Sequence, residues 1–564
     1  MLLGRFLLLA LALGMSLLTV ADACEDLDTA PVHELAGQAS ERKAPEGTLA
    51  VMGVVTGVFL EEDELNGFFI QGTERAPDGR PAGLFVYAPS LSQAQRRRIE
   101  PGRRLLLEGV ADVYRGRPQL AQLQSVRDCG ASQAAVHEVR WPPPDPERLE
   151  GVLVRLDTPM VVTSTEELLR YGALELTPRR RAFRPTNFFP GEGPQDPDLA
   201  KQRLHLDDGR YTSHPRPVPH LSDEGTRRVG ARVPALTGIL SQAFNAWRLH
   251  PTEPPVLKAA NPRPEPLPEP SPGTVRVAAF NLGNYFLTLG ERGAASRAGL
   301  KRQRAKLLAA AEHLRADVLV LSELENRDSV SADFVERLAA ATDEPWRLAR
   351  GGDPGDGALR VVLAYRADRI EPVTPVARDA RQVHHRPPLV MGFRPRGGGD
   401  PFAVAGIHFK SKGACPERGD TDRGQGCWNE RRVEQAEALL EFLKEWRRGP
   451  GEGLPVLIAG DLNAYGGEDP VEVLSAAGKV DLIAEHVPWR ERYTYIYRGE
   501  SGYLDHLLAA SALAERVAAV HLHPVNADEP RMLAYDADEL GRVQADAFRA
   551  SDHDPVAVDL RLSE

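Results

Sequence analysis

Near its C-terminal end the chain carries side chains that can move protons and hold metal ions. The segment SDHDP places Asp552 beside His553, and residues 556–562 alternate apolar and polar side chains in a pattern that predicts a strand. Histidine exchanges a proton near neutral pH, and a carboxylate can hold a hard cation or orient an imidazole. Ser, Asp and Pro also form turns, so a surface turn is the competing interpretation. A catalytic role therefore requires partners elsewhere in the chain.

Polar side chains of the same kinds stand at the ends of other predicted strands. These strands are 275–281, 318–321, 402–407, 456–459 and 504–508, and the polar residues are Asn281, Glu323, His408, Asp461 with Asn463, and Asp505. In open α/β sheets, ligands and catalytic groups gather at strand ends, so we expect these sites to converge. One polar residue at a strand end is usually a cap or a turn. A whole series drawn from Asn, Asp, Glu and His is not explained in that way.

The same region alternates its strands with helices. Helical patterns cover 302–314, 334–341, 431–446 and 471–477. This alternation predicts an α/β domain over residues 274–564, about the size of one enzyme. The proline-rich segment 251–273 predicts a semi-rigid, extended linker before it. We therefore expect the part beyond the linker to be an autonomous catalytic domain.

The N-terminal half has short strands and glycine turns instead. In residues 24–135 the predicted strands are 49–59, 68–70, 84–87, 105–114 and 119–126. Such a series predicts a small barrel of the oligonucleotide/oligosaccharide-binding (OB) kind. Residues 136–250 predict a second, less regular β segment or domain, interrupted by a long loop over 179–226.

Aromatic side chains on the predicted barrel strands have two interpretations. Phe68, Phe69, Phe85 and Tyr87 could stack on bases in a nucleic-acid groove. Such residues more often fill a barrel core, and we favour the core interpretation.

The first residues predict export. Arg5 precedes an apolar run over 6–20 and a small-x-small cleavage site, so residues 1–23 are interpreted as a signal peptide. The run is short for a membrane span and no later stretch is long enough, so we expect no membrane anchor. An uncleaved anchor and a lipoprotein modified at Cys24 are the alternatives. Lipidation would leave Cys129 without a partner, and we expect a secreted or periplasmic protein.

Cysteine number and net charge agree with that interpretation. The chain has four cysteines, an even number as in exported proteins, and we expect the disulfides Cys24–Cys129 and Cys415–Cys427. The formal net charge is −11, which does not indicate a polyanion-binding protein. An active site can still be locally basic or carry metal ions.

Six motifs in the C-terminal half carry a family resemblance. In order they are FNLGNYF, ADVLVLSELEN, IHFKSKG, GDLNAYGGEDP, SGYLDH and SDHDPV. Together they resemble the endonuclease/exonuclease/phosphatase superfamily of pancreatic-type deoxyribonuclease. They are most similar to secreted bacterial extracellular nucleases, which have a similar small β region ahead of the catalytic domain. The resemblance implies a four-layer β-sandwich of the deoxyribonuclease I-like type, an α/β (α+β) fold, preceded by an all-β OB-like region.

The resemblance also implies roles for the polar residues. Asn281 and Glu323 would hold Mg²⁺ or another divalent ion such as Mn²⁺ or Ca²⁺, and Asp552 would hold a second ion or shape the same site. His553, paired with Asp505, would be the general base. Asp461 and Asn463 would orient water and phosphate oxygens, and His408 would stabilise developing charge or protonate the leaving oxygen. The acid and base roles of the two histidines stay open. The residues expected to contact substrate phosphate are Lys410, Lys412 and Arg386.

Three positions leave alternatives open. Glu325 could replace Glu323 as the metal ligand. The family often has an acidic partner for the residue that matches His408, and Asp356 is the one candidate in this sequence. Arg432 could reach a phosphate or belong to an ordinary charged surface.

The predicted function is therefore an exported, metal-dependent nuclease that hydrolyses phosphodiester bonds, with DNA as the favoured substrate and RNA as the open alternative. The resemblance implies products with a 5′-phosphate, and we expect a monomer. A phosphatase or lipid phosphodiesterase of the same superfamily is the nearest alternative. A nucleic-acid-binding surface protein with a vestigial catalytic domain is the alternative from another class.

Overall fold

A computed structural model describes residues 24, 28–36, 47–189, 191–194, 198–537 and 540–562. The predicted signal peptide, residues 1–23, lies outside the described residues. None of the helices in the described part of the chain combines the length and the apolar composition that a membrane crossing requires.

The first β region is a closed barrel with the strand order β1-β2-β3-β5-β4. Its strands are β1 (Thr48–Phe59), β2 (Gly67–Gln71), β3 (Gly83–Tyr87), β4 (Arg103–Tyr114) and β5 (Arg117–Ala131), with the short helices α1 (Val32–Ala36) and α2 (Gln93–Arg96). Phe68 is buried in the barrel core, whereas Phe69 and Phe85 are buried in a separate cluster with Ile239 of the following β region, and Tyr87 is 39% exposed. The disulfide Cys24–Cys129 ties the start of this region to β5.

A second sheet follows with the order β12-β8-β9-β11-β14-β13-β7-β6. Its elements are β6 (His137–Val139), β7 (Leu153–Leu156), β8 (Met160–Ser164), α3 (Leu168–Tyr171), β9 (Leu174–Pro178), β11 (Leu204–Leu206), β12 (Arg232–Val233), β13 (Leu236–Ala243) and β14 (Ala246–Pro251). The strand β10 (Ala182–Phe183) leaves this sheet and pairs with the C-terminal half. The expected loop over 179–226 therefore contains two short strands that its Arg-, Pro- and Gly-rich composition concealed.

Two further sheets form the C-terminal half. The first sheet contains β15 (Thr274–Tyr285), β16 (Val318–Glu325), β17 (Trp346–Leu348), β18 (Leu359–Arg366), β28 (Val517–Leu522) and β29 (Val556–Arg561), in the order β17-β18-β16-β15-β29-β28. The second contains β19 (Ile370–Pro372), β20 (Ala377–Arg378), β21 (Leu389–Pro395), β22 (Phe402–His408), β23 (Val456–Asp461), β24 (Lys479–Asp481) and β27 (Asp505–Ala510), in the order β19-β21-β22-β23-β27-β24 with β20 beside β21.

Helices accompany these two sheets, and the four longest cover the outer faces. They are α4 (Arg297–His313), α5 (Asp328–Thr342), α6 (Asn429–Trp446), α7 (Asp469–Ala476), α8 (Leu482–His486) and α9 (Ser511–Ala514). Val320 and Val558 of the first sheet pack against Leu457 and Leu507 of the second. The helices α4 and α5 pack on the outside of the first sheet, and α6 and α7 on the outside of the second. The predicted four-layer α/β fold is confirmed.

The proline-rich segment 251–273 packs against the C-terminal half. Asn261 Nδ2 donates to Asp528 Oδ2 at 2.6 Å, and Arg263 Nε lies 2.9 Å from Glu529 Oε1. Leu267 is buried in the same apolar cluster as α4. Residues 261–267 of this segment are therefore docked on the C-terminal half.

Candidate functional site

The register of the second sheet places three of the predicted site residues side by side. His408 pairs with Asp461 across β22 and β23, and Asp461 pairs with Asp505 across β23 and β27. All three are buried, and His408 Nε2 lies 3.4 Å from Asp461 Oδ2. Strand pairing alone therefore brings these three residues together, although they are far apart in sequence.

His553 joins this row from the loop before β29, on the neighbouring sheet. Its Nδ1 lies 2.8 Å from Asp505 Oδ2, and Thr494 Oγ1 donates to the same oxygen at 2.7 Å. The ring of Tyr495 lies 4.7 Å from the His553 ring, centroid to centroid. Burial disfavours the charged imidazole, yet Asp505, with Asp461 and Asp552 beyond it, holds the pKa of His553 well above its ordinary value. The ring is thus fixed in orientation, and Nε2 is the nitrogen that Asp505 does not engage.

Asp461 is the centre of an amide network. Its Oδ1 accepts from the Asn463 backbone N–H at 2.6 Å, and its Oδ2 lies 3.2 Å from the side-chain Nδ2 of both Asn463 and Asn281. Burial raises the pKa of this carboxyl, and the negative charges of Asp505 and Glu323 add to the rise, while His553 opposes it. A buried carboxylate with negative neighbours favours an added positive charge close by.

Glu323 stands where β16 breaks its regular pairing. The pairing register with β18 shifts between Leu321 and Leu324, and Glu323 has φ 63°. Residues other than glycine rarely adopt a positive φ, and those that do are enriched at functional sites. Its Oε2 accepts from the Asn284 N–H at 2.9 Å, and its Oε1 lies 3.9 Å from His408 Nε2. Burial raises the pKa of Glu323, and the charge of Asp552 adds to the rise.

Glu325 has a different environment. Its carboxylate accepts from the Leu287 and Thr288 backbone N–H groups, at 2.9 and 3.0 Å, and pairs with Arg327 Nε at 2.9 Å. These bonds hold the loop after β15 and leave Glu323 as the residue that faces His408. Of the two predicted alternatives, the geometry favours Glu323 as a ligand.

The oxygen-rich side of the site fits a hard divalent cation. The charge of the exposed Asp552 is close enough to raise the pKa of Glu323. Carboxylate and amide oxygens are the ligands that Mg²⁺ and Ca²⁺ prefer. A second set of ligand atoms, from Asp461, Asp505 and His553, lies within 4.8 Å of one another. A metal ion there would compete with the proton chemistry of the His553–Asp505 pair, so the donor set around Glu323 is the better fit.

The basic residues predicted to contact phosphate differ in the contacts that already engage their side chains. Arg386 donates from Nε to the His408 carbonyl at 3.1 Å and from Nη2 to the Phe409 carbonyl. Burial lowers the pKa of Arg386, and the charges of Asp461 and Glu323 oppose this, so its guanidinium belongs to the same electrostatic site.

Lys410 and Lys412 point into their own loop. Lys410 Nζ lies 3.1 Å from the Ser411 carbonyl and 4.8 Å from the Trp428 ring centroid. Lys412 Nζ pairs with the fully buried Glu468, and burial lowers the pKa of Lys412 to about 8. The charge of the Lys412 ammonium is therefore already balanced by the carboxylate of Glu468 inside the protein.

Arg432 and Asp356 lie in environments that differ from those predicted. Arg432 is fully buried and donates from Nη1 to the carbonyls of Cys427, at 2.8 Å, and Lys410, at 3.3 Å, so the surface interpretation is wrong for this residue. It supports the loop that the disulfide Cys415–Cys427 closes. Asp356 is exposed, and no contact joins it to His408 among the described residues.

The sequence motifs missed the residues that hold His553 and Asp505. Thr494 and Tyr495 come from a short segment, RYTYIY, that has no long apolar run and did not predict a strand. Asn526 donates from Nδ2 to the His553 carbonyl at 2.6 Å and accepts from the Ala550 N–H at 2.8 Å. A threonine or asparagine in a loop is normally a turn residue, so neither carried a usable signal.

Comparison with known proteins places this site in a family. Residues 278–553 match the profile of the endonuclease/exonuclease/phosphatase family. No curated protein sequence matches the chain. A family protein from Bacteroides thetaiotaomicron is similar in structure, with 16% identity, a TM-score of 0.36 and coverage of 52% of this chain and 98% of its own.

Two other solved structures show similar figures. The human Nocturnin catalytic domain with a bound sulfate anion has 15% identity, a TM-score of 0.35 and coverage of 52% of this chain and 96% of its own. A mannosyl-6-phosphatase from Bacteroides thetaiotaomicron has 16% identity, a TM-score of 0.34 and coverage of 50% and 98%. Residues 278–553, just under half of the chain, thus match the endonuclease/exonuclease/phosphatase family, whose members are hydrolases of phosphoester bonds.

Proposed function

We propose that the protein is an exported, metal-dependent nuclease that hydrolyses phosphodiester bonds of DNA, and of RNA as a further substrate. The observation that carries the proposal is the convergence of the His553–Asp505 pair with His408, Asp461 and Glu323 at one edge of the two sheets. A proton acceptor, a neutral imidazole and acidic oxygen ligands are the groups that water attack on a phosphodiester requires.

His553 is proposed to remove the proton of the attacking water through Nε2, a role that requires positive charge at the site to offset the carboxylates that raise the pKa of its ring. Asp505 engages Nδ1 at 2.8 Å, which selects the tautomer and stabilises the imidazolium once the proton has been taken. Thr494 Oγ1 donates to the same Asp505 oxygen and so holds it in place. The water need only be placed at Nε2 for proton transfer to occur.

His408 is proposed to act as a neutral hydrogen-bond donor to the phosphate. Burial, together with the charge of Arg386, holds the pKa of His408 well below its ordinary value. A neutral ring donates a hydrogen bond without adding a full charge to the crowded site. Arg386 supplies the permanent positive charge beside it, and the Asn463 amide, 3.2 Å from Asp461, orients water and phosphate oxygens.

Glu323, Asn281 and Asp552 are the residues proposed to hold the metal ion. A bound divalent cation supplies positive charge that offsets both the carboxylates and the negative phosphate. The Asn284 N–H fixes one oxygen of Glu323, so the other remains directed towards the site. Residues of the chain thus orient the ligand before any ion binds.

Export is supported by the cysteines. All four are paired, as Cys24–Cys129 and Cys415–Cys427, and such bonds persist in oxidising compartments. We propose a secreted or periplasmic location on this ground together with the signal-like sequence of residues 1–23.

The first test of the function is plasmid DNA cleavage by the purified full-length protein. We expect nicking and linearisation with Mg²⁺ and none after EDTA treatment, with recovery when excess Mg²⁺ is returned, because the ligand set is oxygen-based. An inositol phosphate and sphingomyelin are tested in parallel. Intact DNA with either of these hydrolysed would indicate the phosphatase or lipid phosphodiesterase alternative, and no hydrolysis of any substrate would favour a binding protein.

The metal-ligand assignment is tested by a matched pair of variants. Glu323→Gln should lower activity on the order of a hundredfold and raise the Mg²⁺ concentration needed for half-maximal activity, since it removes a ligand charge. Its Tm should change little. Glu325→Gln should instead lower Tm, because its carboxylate bonds Leu287, Thr288 and Arg327. Mg²⁺ titrations of activity and thermal unfolding are measured for both. The assignment fails if Glu325→Gln shifts the Mg²⁺ titration and Glu323→Gln does not.

A further inference from the structure

The N-terminal β region reaches into the C-terminal half beside the proposed active site. The strand β10 pairs in parallel with β26 (Glu500–Gly502), which forms a hairpin with β25 (Tyr495–Tyr497). Thr163 Oγ1 donates to the Gly499 carbonyl at 2.7 Å, and Asn187 Oδ1 accepts from the Tyr503 N–H at 2.8 Å. The hairpin is therefore held by a sheet shared between the two halves.

This hairpin segment, residues 493–503, holds the catalytic pair. Thr494 donates to Asp505, Tyr495 lies against the His553 ring, and the Thr494 carbonyl accepts from the Asp554 N–H at 2.7 Å. A displacement of the hairpin would move the oxygen that receives His553 Nδ1–H. Docking by the N-terminal region thus bears on the geometry of the proton acceptor.

Arg181, directly before β10, is the side chain that joins these parts. Its Nη1 lies 3.0 Å from Asp528 Oδ1, and its guanidinium lies 4.0 Å from the Tyr493 ring centroid. The Tyr493 hydroxyl donates to Asp528 Oδ2 at 2.7 Å, which closes a triangle of the three groups. The side chain of Asp528 is 0% exposed and that of Arg181 is 10% exposed, so water cannot replace these bonds.

Asp528 lies in a loop that reaches the other member of the pair. In this loop, Asn526 donates to the His553 carbonyl at 2.6 Å, and its backbone N–H donates to Asp554 Oδ1 at 2.7 Å. Arg228 of the N-terminal region also pairs with Glu529. Arg181 therefore contacts the segment that orients Asp505 and the segment that orients His553.

We propose that Arg181 is a positioning residue that holds the Thr494–Asp505 and Asn526–His553 segments in register, so that the N-terminal β region completes the active site. This rests on the proposed function, because the register is needed only if His553 transfers the proton. Arg181 acts through Asp528 and Tyr493 and has no role in binding substrate. Loss of its charge is expected to change kcat and leave KM nearly unchanged.

The experiment uses Arg181→Met in the full-length protein. We expect kcat for DNA cleavage to fall on the order of ten- to a hundredfold, since small displacements of catalytic groups have effects of this size, with KM within about twofold. Arg181→Lys keeps the charge but not the planar contact with Tyr493, so it should restore part of kcat. Arg179→Met is the control, because Arg179 is exposed two residues earlier and should leave kcat unchanged.

Hydrogen exchange separates this proposal from the proposed function. Backbone amides of residues 493–505 should exchange faster in Arg181→Met than in wild type, whether or not the protein cleaves DNA. An inactive wild type would reject the nuclease proposal, while unchanged exchange would reject the positioning role by itself. An unchanged kcat in an active protein would also reject that role.

A milder variant keeps the proposal testable if Arg181→Met does not fold. Tyr493→Phe removes only the hydroxyl that bonds Asp528. It should lower kcat in the same direction and speed exchange in residues 493–505. If neither quantity changes in Tyr493→Phe, Arg181 has no positioning role.

Discussion

Replacing His553 with asparagine should lower DNA cleavage by on the order of 10² to 10⁴, the range for loss of a general base. The asparagine amide can still donate to Asp505 near the position of Nδ1, but nothing remains at the position of Nε2 to accept a proton. Because the buried Asp505 keeps a donor in addition to Thr494, we expect the variant to remain folded. Single-turnover cleavage with saturating Mg²⁺ measures the loss, and thermal unfolding checks the fold.

A second histidine–aspartate pair supplies the control for this experiment. His521 Nε2 lies 3.3 Å from Asp559 Oδ2, away from the predicted site residues, on the pairing between β28 and β29. His521→Asn should alter stability slightly and leave cleavage unchanged. Activity close to wild type in His553→Asn, or an equal loss in His521→Asn, would remove His553 from the proposed mechanism.

The sequence indicated which residues lie at strand ends more clearly than it indicated which partners those residues contact. Strand ends are visible because apolar runs stop abruptly, as at His408 and Asp461, and strand pairing then places these residues side by side. The sequence favoured Glu323 over Glu325 only because Glu323 lies nearer the end of the predicted strand, and it did not show the physical reason. That reason is a register shift at Glu323 together with the loop amides that bond Glu325, and these arise only from tertiary structure.

Side chains with charges were the least predictable part of the site. Lys412 and Arg432 look like phosphate-binding residues in sequence, yet Lys412 pairs with buried Glu468 and Arg432 bonds three backbone carbonyls of its own loop. Long basic side chains can reach several partners, so their final contacts follow from the packing around them. The short strands β10, β25 and β26 were missed for a related reason: they are stabilised by each other and not by an apolar pattern of their own.

The proline-rich composition of residues 251–273 predicted an autonomous catalytic domain. The contacts between the N-terminal region and the C-terminal half argue against such autonomy. Arg181 and Arg228 neutralise Asp528 and Glu529, whose side chains are 0% exposed. The linker itself adds Asn261 and Arg263 to the same two carboxylates. A proline-rich segment marks a boundary in the chain, but composition does not show which buried charges cross that boundary.

Removing residues 24–250 should therefore abolish stable folding of the catalytic half. Removal of one partner from a buried ion pair costs about 3–5 kcal/mol, and this truncation removes Arg181 and Arg228 together. Domains are stable by only about 5–15 kcal/mol, so the loss at Asp528 alone is a large share of the stability, whereas Glu529 keeps Arg263 as a partner. The hairpin that carries Thr494 also loses its β10 neighbour. Circular dichroism, thermal unfolding and plasmid cleavage of a protein that begins at residue 251 measure the effect.

Neutralising Asp528 tests the reason for this expected failure. In the same truncated protein, Asp528→Asn removes the carboxylate that lost both arginines, while Glu529 keeps its pair with Arg263 of the linker. Part of the thermal stability should return, because a neutral amide is less costly to bury than an uncompensated carboxylate. Cleavage should stay low, since β10 and Arg181 are still missing beside the hairpin. A truncated protein that folds and cleaves DNA like the full-length chain would show that the buried pairs across the linker are dispensable.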